Sequence, residues 1–236
     1  MALISDEYFE LAKVSCKGEY LNPDPSNAQC NYALRLINEC IENIHKPHVL
    51  EPECESVASV PNDFGRGKQL LEYDSINLLP SEQDGPRCRD HIYALSGIWA
   101  NDPTVQDALH TRKGTIAEWT KCNDSISHKY SAESVVPYHK LLSKKRGRAL
   151  VYSGDHDMIV PYTATLQWIR DLNLTVEEDW RPWIFNGQVA GYTKKYKNNE
   201  FDLTFATVKG AGHLPPEYNP KECFAMVDRW LSLYPL

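Results

Sequence analysis

The chain has 236 residues, 42% of them hydrophobic and 24% charged, with a formal net charge of −7 and a pI near 5.6. This is ordinary globular composition, and the length is sufficient to bury a core. No Lys/Arg run offsets the acidity and no apolar stretch is long enough to span a bilayer, so neither nucleic acid nor membrane is expected as a partner.

The first residues, Met1-Ala2-Leu3-Ile4-Ser5-Asp6-Glu7, have no basic segment followed by a long apolar one, so they do not read as a secretory or transit signal. Ser5 is a candidate helix cap, and Leu3, Ile4, Tyr8, Leu11, Ala12 and Val14 recur at roughly helical spacing. After a turn at Asn22-Pro23-Asp24-Pro25, a second helical stretch places Ala33, Leu36, Ile37, Cys40, Ile41 and Ile44 on one face. Two helices with no strand between them predict a cap-like segment. Residues 55–87 carry Pro61, Gly65, Gly67, Pro80, Gly85 and Pro86 without periodicity, which is the composition of a loop or a processed linker. Cys54 and Cys88 flank it, so a disulfide could tether its ends. We therefore expect a helical cap over 1–90 and an α/β portion over 91–236.

The later pattern alternates. Pro103 to His110 reads as a short helix opened by Asp102, and Ala149-Leu150-Val151-Tyr152 as a buried strand. Pro161 opens a helix with Tyr162, Leu166, Ile169 and Leu172 on one face, and Asp202 to Val208 reads as a further strand. Asn219-Pro220-Lys221-Glu222 has the form of a cap for a terminal helix burying Cys223, Val227, Trp230 and Leu231. Strands alternating with helices predict a mostly parallel sheet.

The seven cysteines (16, 30, 40, 54, 88, 122 and 223) contain no CxxC pair, which argues against a zinc ribbon or a thioredoxin-type motif. Their odd number leaves at least one sulfur as a free thiol or as half of a pair with a segment beyond this sequence. Cysteine abundance and two sequons, at Asn123 and Asn173, favour the secretory pathway. Together with the missing signal, they lead us to expect that an N-terminal segment is absent.

The chemistry gathers at the two strand ends, Ser153-Gly154-Asp155-His156-Asp157 and Gly210-Ala211-Gly212-His213. A carboxylate and an imidazole on adjacent strand ends, 56 residues apart (213 minus 157), can meet in the crevice beyond a parallel sheet. The carboxylate would fix the imidazole tautomer while the imidazole moves a proton to and from a nucleophile. The same residues also fit an Asx-type turn and a polar loop histidine. A metal site on Asp155 and Asp157 lacks the further ligands that would complete it. A hydrolase of this order requires an upstream serine in Gly-x-Ser-x-Gly, and the sequence holds no such elbow; Ser96 and Ser153 lack the glycine two positions earlier. Trp180 and Trp183 suit either a pocket wall or the core, with the core favoured.

Several stretches carry a family resemblance. Val151-Tyr152-Ser153-Gly154-Asp155-His156-Asp157-Met158-Ile159-Val160-Pro161 and Val208-Lys209-Gly210-Ala211-Gly212-His213-Leu214-Pro215-Pro216 closely resemble the aspartate and histidine motifs of plant serine carboxypeptidase-like proteins. Trp99-Ala100-Asn101-Asp102, Arg112 to Trp119 and Asp179-Trp180-Arg181-Pro182-Trp183 look like the branch containing acyltransferases. The resemblance implies the C-terminal portion of an α/β-hydrolase fold, with Asp157 as triad acid, His213 as general base and Asp155 as a turn residue. It implies a serine-type carboxypeptidase or glucose-ester-dependent acyltransferase acting on a small-molecule ester or peptide, with no cofactor and no metal. It places the serine, the oxyanion hole and the signal peptide before Met1. On that basis the chain is expected to be truncated, to associate with the absent half and to be inactive alone. A non-catalytic interaction protein is the alternative. The resemblance further implies disulfides Cys16–Cys30 and Cys54–Cys88, an outside partner for Cys122, vacuolar or extracellular location, and excision of the 55–87 region in some relatives.

Overall fold

The structure is a computed structural model that describes residues 3–52, 96–112, 114, 118–122, 126, 127, 129, 132 and 134–236. The chain divides into two compact units, Met1–His45 and Lys46–Leu236. The predicted 55–87 loop, Cys54, Cys88 and Asn123 lie outside the described residues.

The first unit is a helical hairpin. Helix α1 (Asp6–Cys16) starts at Ser5, whose Oγ accepts from the Tyr8 N–H at 3.3 Å, and ends at Lys17 in a left-handed conformation. Helix α2 (Ala28–Ile41) is capped by Asn27, which accepts the Cys30 N–H and donates from Nδ2 to the Ser15 carbonyl at 2.9 Å. One side chain thus ends one helix and begins the next. Ala12, Cys16, Cys30 and Ala33 form the buried seam, and a Cys16–Cys30 disulfide closes it. The small buried residues let the helices approach closely enough for the cysteines to bond. Cys40, expected on the buried face, is exposed, as is Val14.

The second unit is built on a mixed four-stranded sheet of order β1-β4-β3-β2, comprising β1 (Gly147–Gly154), β2 (Thr175–Phe185), β3 (Gln188–Asn198) and β4 (Phe201–Val208). Strands β1 and β4 pair in parallel; β2, β3 and β4 pair antiparallel. The expected α/β-hydrolase portion is present, but its described sheet is not mostly parallel, because β2 and β3, which the sequence pattern did not reveal, pair antiparallel on β4. Asn186 and Gly187, both with positive φ, form its two-residue turn.

Helices cover both faces. Helices α3 (Pro103–Ala108), capped by Asp102, and α4 (Val136–Leu142) precede β1, and α5 (Tyr162–Asp171) follows it. Ile169 and Leu172 pack with Phe201, Leu203, Phe205 and Tyr196 on one face, joined by half-buried Tyr162 and Leu166 as the spacing predicts. On the other face, Ala206, Val208 and Trp183 pack against Cys223 and Met226. Alternation along β4 divides it between these two cores, so every residue of the strand but Asp202 is buried. Burial also raises the Cys223 thiol to about 11.

Two short helices close the chain, α6 (Pro215–Tyr218) and α7 (Pro220–Leu231). Asn219 precedes α7 but makes no capping hydrogen bond, contrary to the sequence pattern. The face of α7 is also rotated from expectation. Met226 is buried, whereas Val227 and Leu231 are exposed. Among the described residues no helix is long and apolar enough to cross a membrane.

Candidate active site

The parallel pairing of β1 with β4 sets Gly154 opposite Val208, so the loops leaving both strands start side by side. The loops run almost in contact. A Cβ on Gly154 would lie 2.2 Å from the Gly212 carbonyl oxygen and 2.3 Å from that of Ala211, so only glycine fits. Asp155 bridges them through Oδ1, which accepts the Gly210 N–H at 2.7 Å. Asp155 thus holds the turn at Gly210.

Asp157 divides its two oxygens. Oδ1 accepts the N–H groups of Ile159 and Val160, at 2.8 and 3.3 Å, in an Asx-type turn. Oδ2 lies 2.9 Å from Nδ1 of His213. The turn and the dyad, alternatives in the sequence, are both present on one side chain. The Asp157 side chain is only 4% exposed, whereas that of His213 is 37% exposed, so the carboxylate sits beneath a ring that reaches the surface. An ionised carboxylate accepts only, which puts the shared proton on Nδ1 and leaves the Nε2 lone pair as the basic position. Among the described residues, Nε2 makes no hydrogen bond.

Residues 46–49 support this pair, and nothing in the sequence spacing flags them. The Pro47 carbonyl accepts the His213 N–H at 2.7 Å, the Lys46 carbonyl accepts the Met158 N–H at 3.0 Å, and Val49 N–H donates to the His156 carbonyl at 3.1 Å. His48 Nε2 lies 3.1 Å from the Gly210 carbonyl oxygen. The contact spans 162 residues of sequence, which is why no local pattern reveals it.

The other candidates fall elsewhere. Ser153 is buried, with its hydroxyl on Thr165 Oγ1 at 3.3 Å. Trp183 is 1% exposed and donates from Nε1 to the Thr207 carbonyl, so it is a core residue. Trp180, 38% exposed, stacks on Tyr192 and Phe205 and lines a surface hollow of about 260 Å³ with Tyr162, Arg170 and Lys194. Asn173 is exposed in a left-handed turn after α5. Cys16 and Cys30 form the implied disulfide; Cys40, Cys122 and Cys223 form none among the described residues.

Known proteins share this pattern along the whole chain. The serine carboxypeptidase family matches residues 1–233. Among its relatives, serine carboxypeptidase-like 17 of Arabidopsis thaliana is 40% identical over 235 residues, covering all of this chain and 46% of that protein. Serine carboxypeptidase-like 19 of the same plant is 41% identical over 241 residues, covering all of this chain and 50% of that protein. The chain therefore spans about half the length of the curated relatives it matches. Among solved structures, a prohormone-processing carboxypeptidase from Saccharomyces cerevisiae superposes with a TM-score of 0.59 at 18% identity, over 98% of this chain and 49% of that one. The fold is that of the later part of an α/β-hydrolase. With the match unbroken from the helical hairpin through the last helix, the chain belongs to the serine carboxypeptidase family.

Proposed function

We propose that this chain supplies the acid–base half of a serine acyl-transfer site, with Asp157 orienting His213 and His213 moving the proton. The observation that carries the reading is the 2.9 Å contact between buried Asp157 Oδ2 and Nδ1 of the half-exposed His213. The nucleophilic serine belongs to a preceding part of the polypeptide, since no Gly-x-Ser-x-Gly occurs in the sequence. In the complete site, the serine oxygen attacks a peptide or ester carbonyl carbon and its proton passes to His213 Nε2. The tetrahedral adduct then expels the leaving group, which takes that proton, and an acyl-enzyme remains. Water as acceptor gives a carboxypeptidase. An alcohol acceptor with a glucose-ester donor gives an acyltransferase, the reading that the resemblance of residues 99–102, 112–119 and 179–183 favours.

Alone, the chain is inactive on this proposal. The outer edge of β1 has no strand beside it among the described residues, and it offers the surface where the preceding half pairs. That edge also supports the second reading, a non-catalytic protein that docks a partner. The Cys16–Cys30 disulfide and the exposed Asn173 sequon support passage through the secretory pathway.

Fluorophosphonate labelling tests the proposal, applied to the 236-residue chain and to a longer polypeptide carrying an upstream Gly-Asp-Ser-Tyr-Ser-Gly. The chain alone should stay unlabelled; the longer one should label, and His213→Ala should cut its ester turnover about 10⁴-fold or more. Serine labelling of the chain alone, or full turnover in the His213→Ala protein, would overturn it. Products formed with water and with an alcohol acceptor present distinguish hydrolysis from transfer.

A further inference from the structure

We propose that His48 is a positioning residue for the Asp157–His213 pair, an inference that rests on the acid–base reading of that pair. The His48 ring is almost fully buried, and both its nitrogens are engaged. Nδ1 accepts the Leu50 N–H at 3.3 Å, so the proton resides on Nε2, which donates to the Gly210 carbonyl at 3.1 Å. Both peptide units flanking the Gly210 Cα are thereby gripped, because Asp155 Oδ1 takes its N–H. This glycine turns the chain with φ +75°, three residues before His213.

The backbone around His48 completes the clamp. Lys46 holds the loop of Asp157 through Met158, Pro47 holds His213 itself, and Val49 returns to the Asp157 loop through His156. Three consecutive peptide units of one short turn-forming segment thus join the two loops whose side chains must meet. A Cβ on Gly212 would come within 2.3 Å of the Pro47 carbonyl oxygen, which shows how closely the segment is seated. His48 is its only side chain bonded to the histidine-bearing loop. Its ring is held in turn against Tyr218, at 4.8 Å between centroids, and edge-on to His156 at 5.0 Å. A catalytic pair tolerates only small displacements, so a rigid ring with a donor on one side and an acceptor on the other is suited to fix the loop's height. His48 acts through Gly210 and its ring makes no hydrogen bond to Asp157 or His213.

The test is proton NMR of the longer polypeptide that carries the preceding half, following the far-downfield resonance of the His213 Nδ1 proton and the exchange of the His213 backbone amide. Asp157→Asn should abolish the resonance, which assigns it. His48→Phe keeps the ring packing but removes both hydrogen bonds. It should broaden or abolish the resonance and speed His213 amide exchange about tenfold, while the β4 amides keep their protection. His48→Gln, which can place a donor near the position of Nε2, should restore both. A merely structural role predicts faster exchange across all of β4 alike. If His48→Phe fails to fold, His48→Gln and His48→Asn replace it, and only Gln should retain the resonance. An unchanged resonance and unchanged His213 exchange in His48→Phe would overturn the proposal. Absence of the resonance from the unaltered chain would overturn the dyad reading, and the proposal with it.

Discussion

At the scale of single residues, the division of labour on Asp157 gives it two separable roles. Asparagine can keep an oxygen for the Ile159 and Val160 amides while presenting an amide N–H₂ to His213 Nδ1. The turn would survive, and the imidazole would be forced into the other tautomer, with its proton on Nε2. Asp157→Asn should therefore lower kcat/KM of the longer polypeptide about 10⁴-fold, yet shift the unfolding free energy of the chain by only about 1 kcal/mol. Steady-state kinetics and denaturant unfolding read the two effects separately. Gly154→Ala should do the reverse of a clean chemical substitution. Its Cβ would meet the Gly212 and Ala211 carbonyls, so the loops must part, at a cost of about 1–3 kcal/mol in urea unfolding. Asp157 and His213 were legible in the sequence because their motifs are local and end in glycine-rich turns. His48 was not, since its significance depends on a contact with Gly210 that exists only after the chain has folded.

At the scale of elements, β1 and β4 were legible and β2 and β3 were not, for physical reasons. Strand β4 keeps Phe201, Leu203, Phe205, Ala206 and Val208 within eight residues, whereas β2 carries Glu177, Glu178, Asp179 and Arg181 in its middle. Irregular pairing between Val176 and Glu178, Glu178 and Arg181, and Trp183 and Ile184 breaks the two-residue alternation that would have marked it. The one usable signal was Asn186-Gly187 between Phe185 and Val189, a favoured hairpin dipeptide. The rotation of α7 has a similar origin. Cys223 fixes one buried position, but Met226 rather than Val227 completes the face because the helix packs under Trp183 and Ala206. The ribbon's charges also make a measurable contribution. The Lys195 ammonium, hydrogen-bonded to Glu178, holds that carboxyl below its usual range against the opposing effect of burial, and Arg181 assists. A carboxyl held low binds fewer protons folded than unfolded. Its contribution is complete above the ordinary glutamate value of about 4.3 and fades as pH falls through the lowered folded value. Glu178→Gln should thus cost at most about 1 kcal/mol at neutral pH, because the group is partly solvated. The difference from the unaltered chain should vanish in acid, as followed by thermal unfolding across pH.

At the scale of the whole molecule, sequence reading carried furthest where motifs are long and local, and least where distant segments meet. The two helices of the N-terminal hairpin, the two strand ends and their order were visible. The supporting segment at 46–49 and the antiparallel half of the sheet were not. The outer edge of β1, which has no strand beside it among the described residues, is the feature with the largest expected consequence in solution. An unpaired strand edge recruits other strands, so the chain expressed alone should self-associate, and co-expression with the preceding half should convert it to a soluble complex. Size-exclusion chromatography of the two preparations decides this; a monodisperse monomer from the chain alone would refute it. The clamp between residues 46–49 and the two loops also carries a consequence in time. His48 leaves the ribosome 162 residues before Gly210, an interval of roughly 10–30 s at ordinary synthesis rates. Through that interval a buried histidine, its neighbouring carbonyls and the paired helices ahead of them exist without the loops they are built to hold. The geometry of the active pair is therefore among the last things this polypeptide acquires. A pause, or a chaperone occupying the Lys46–Leu50 segment during synthesis, would act on the geometry of this pair before Asp157 or His213 has been made.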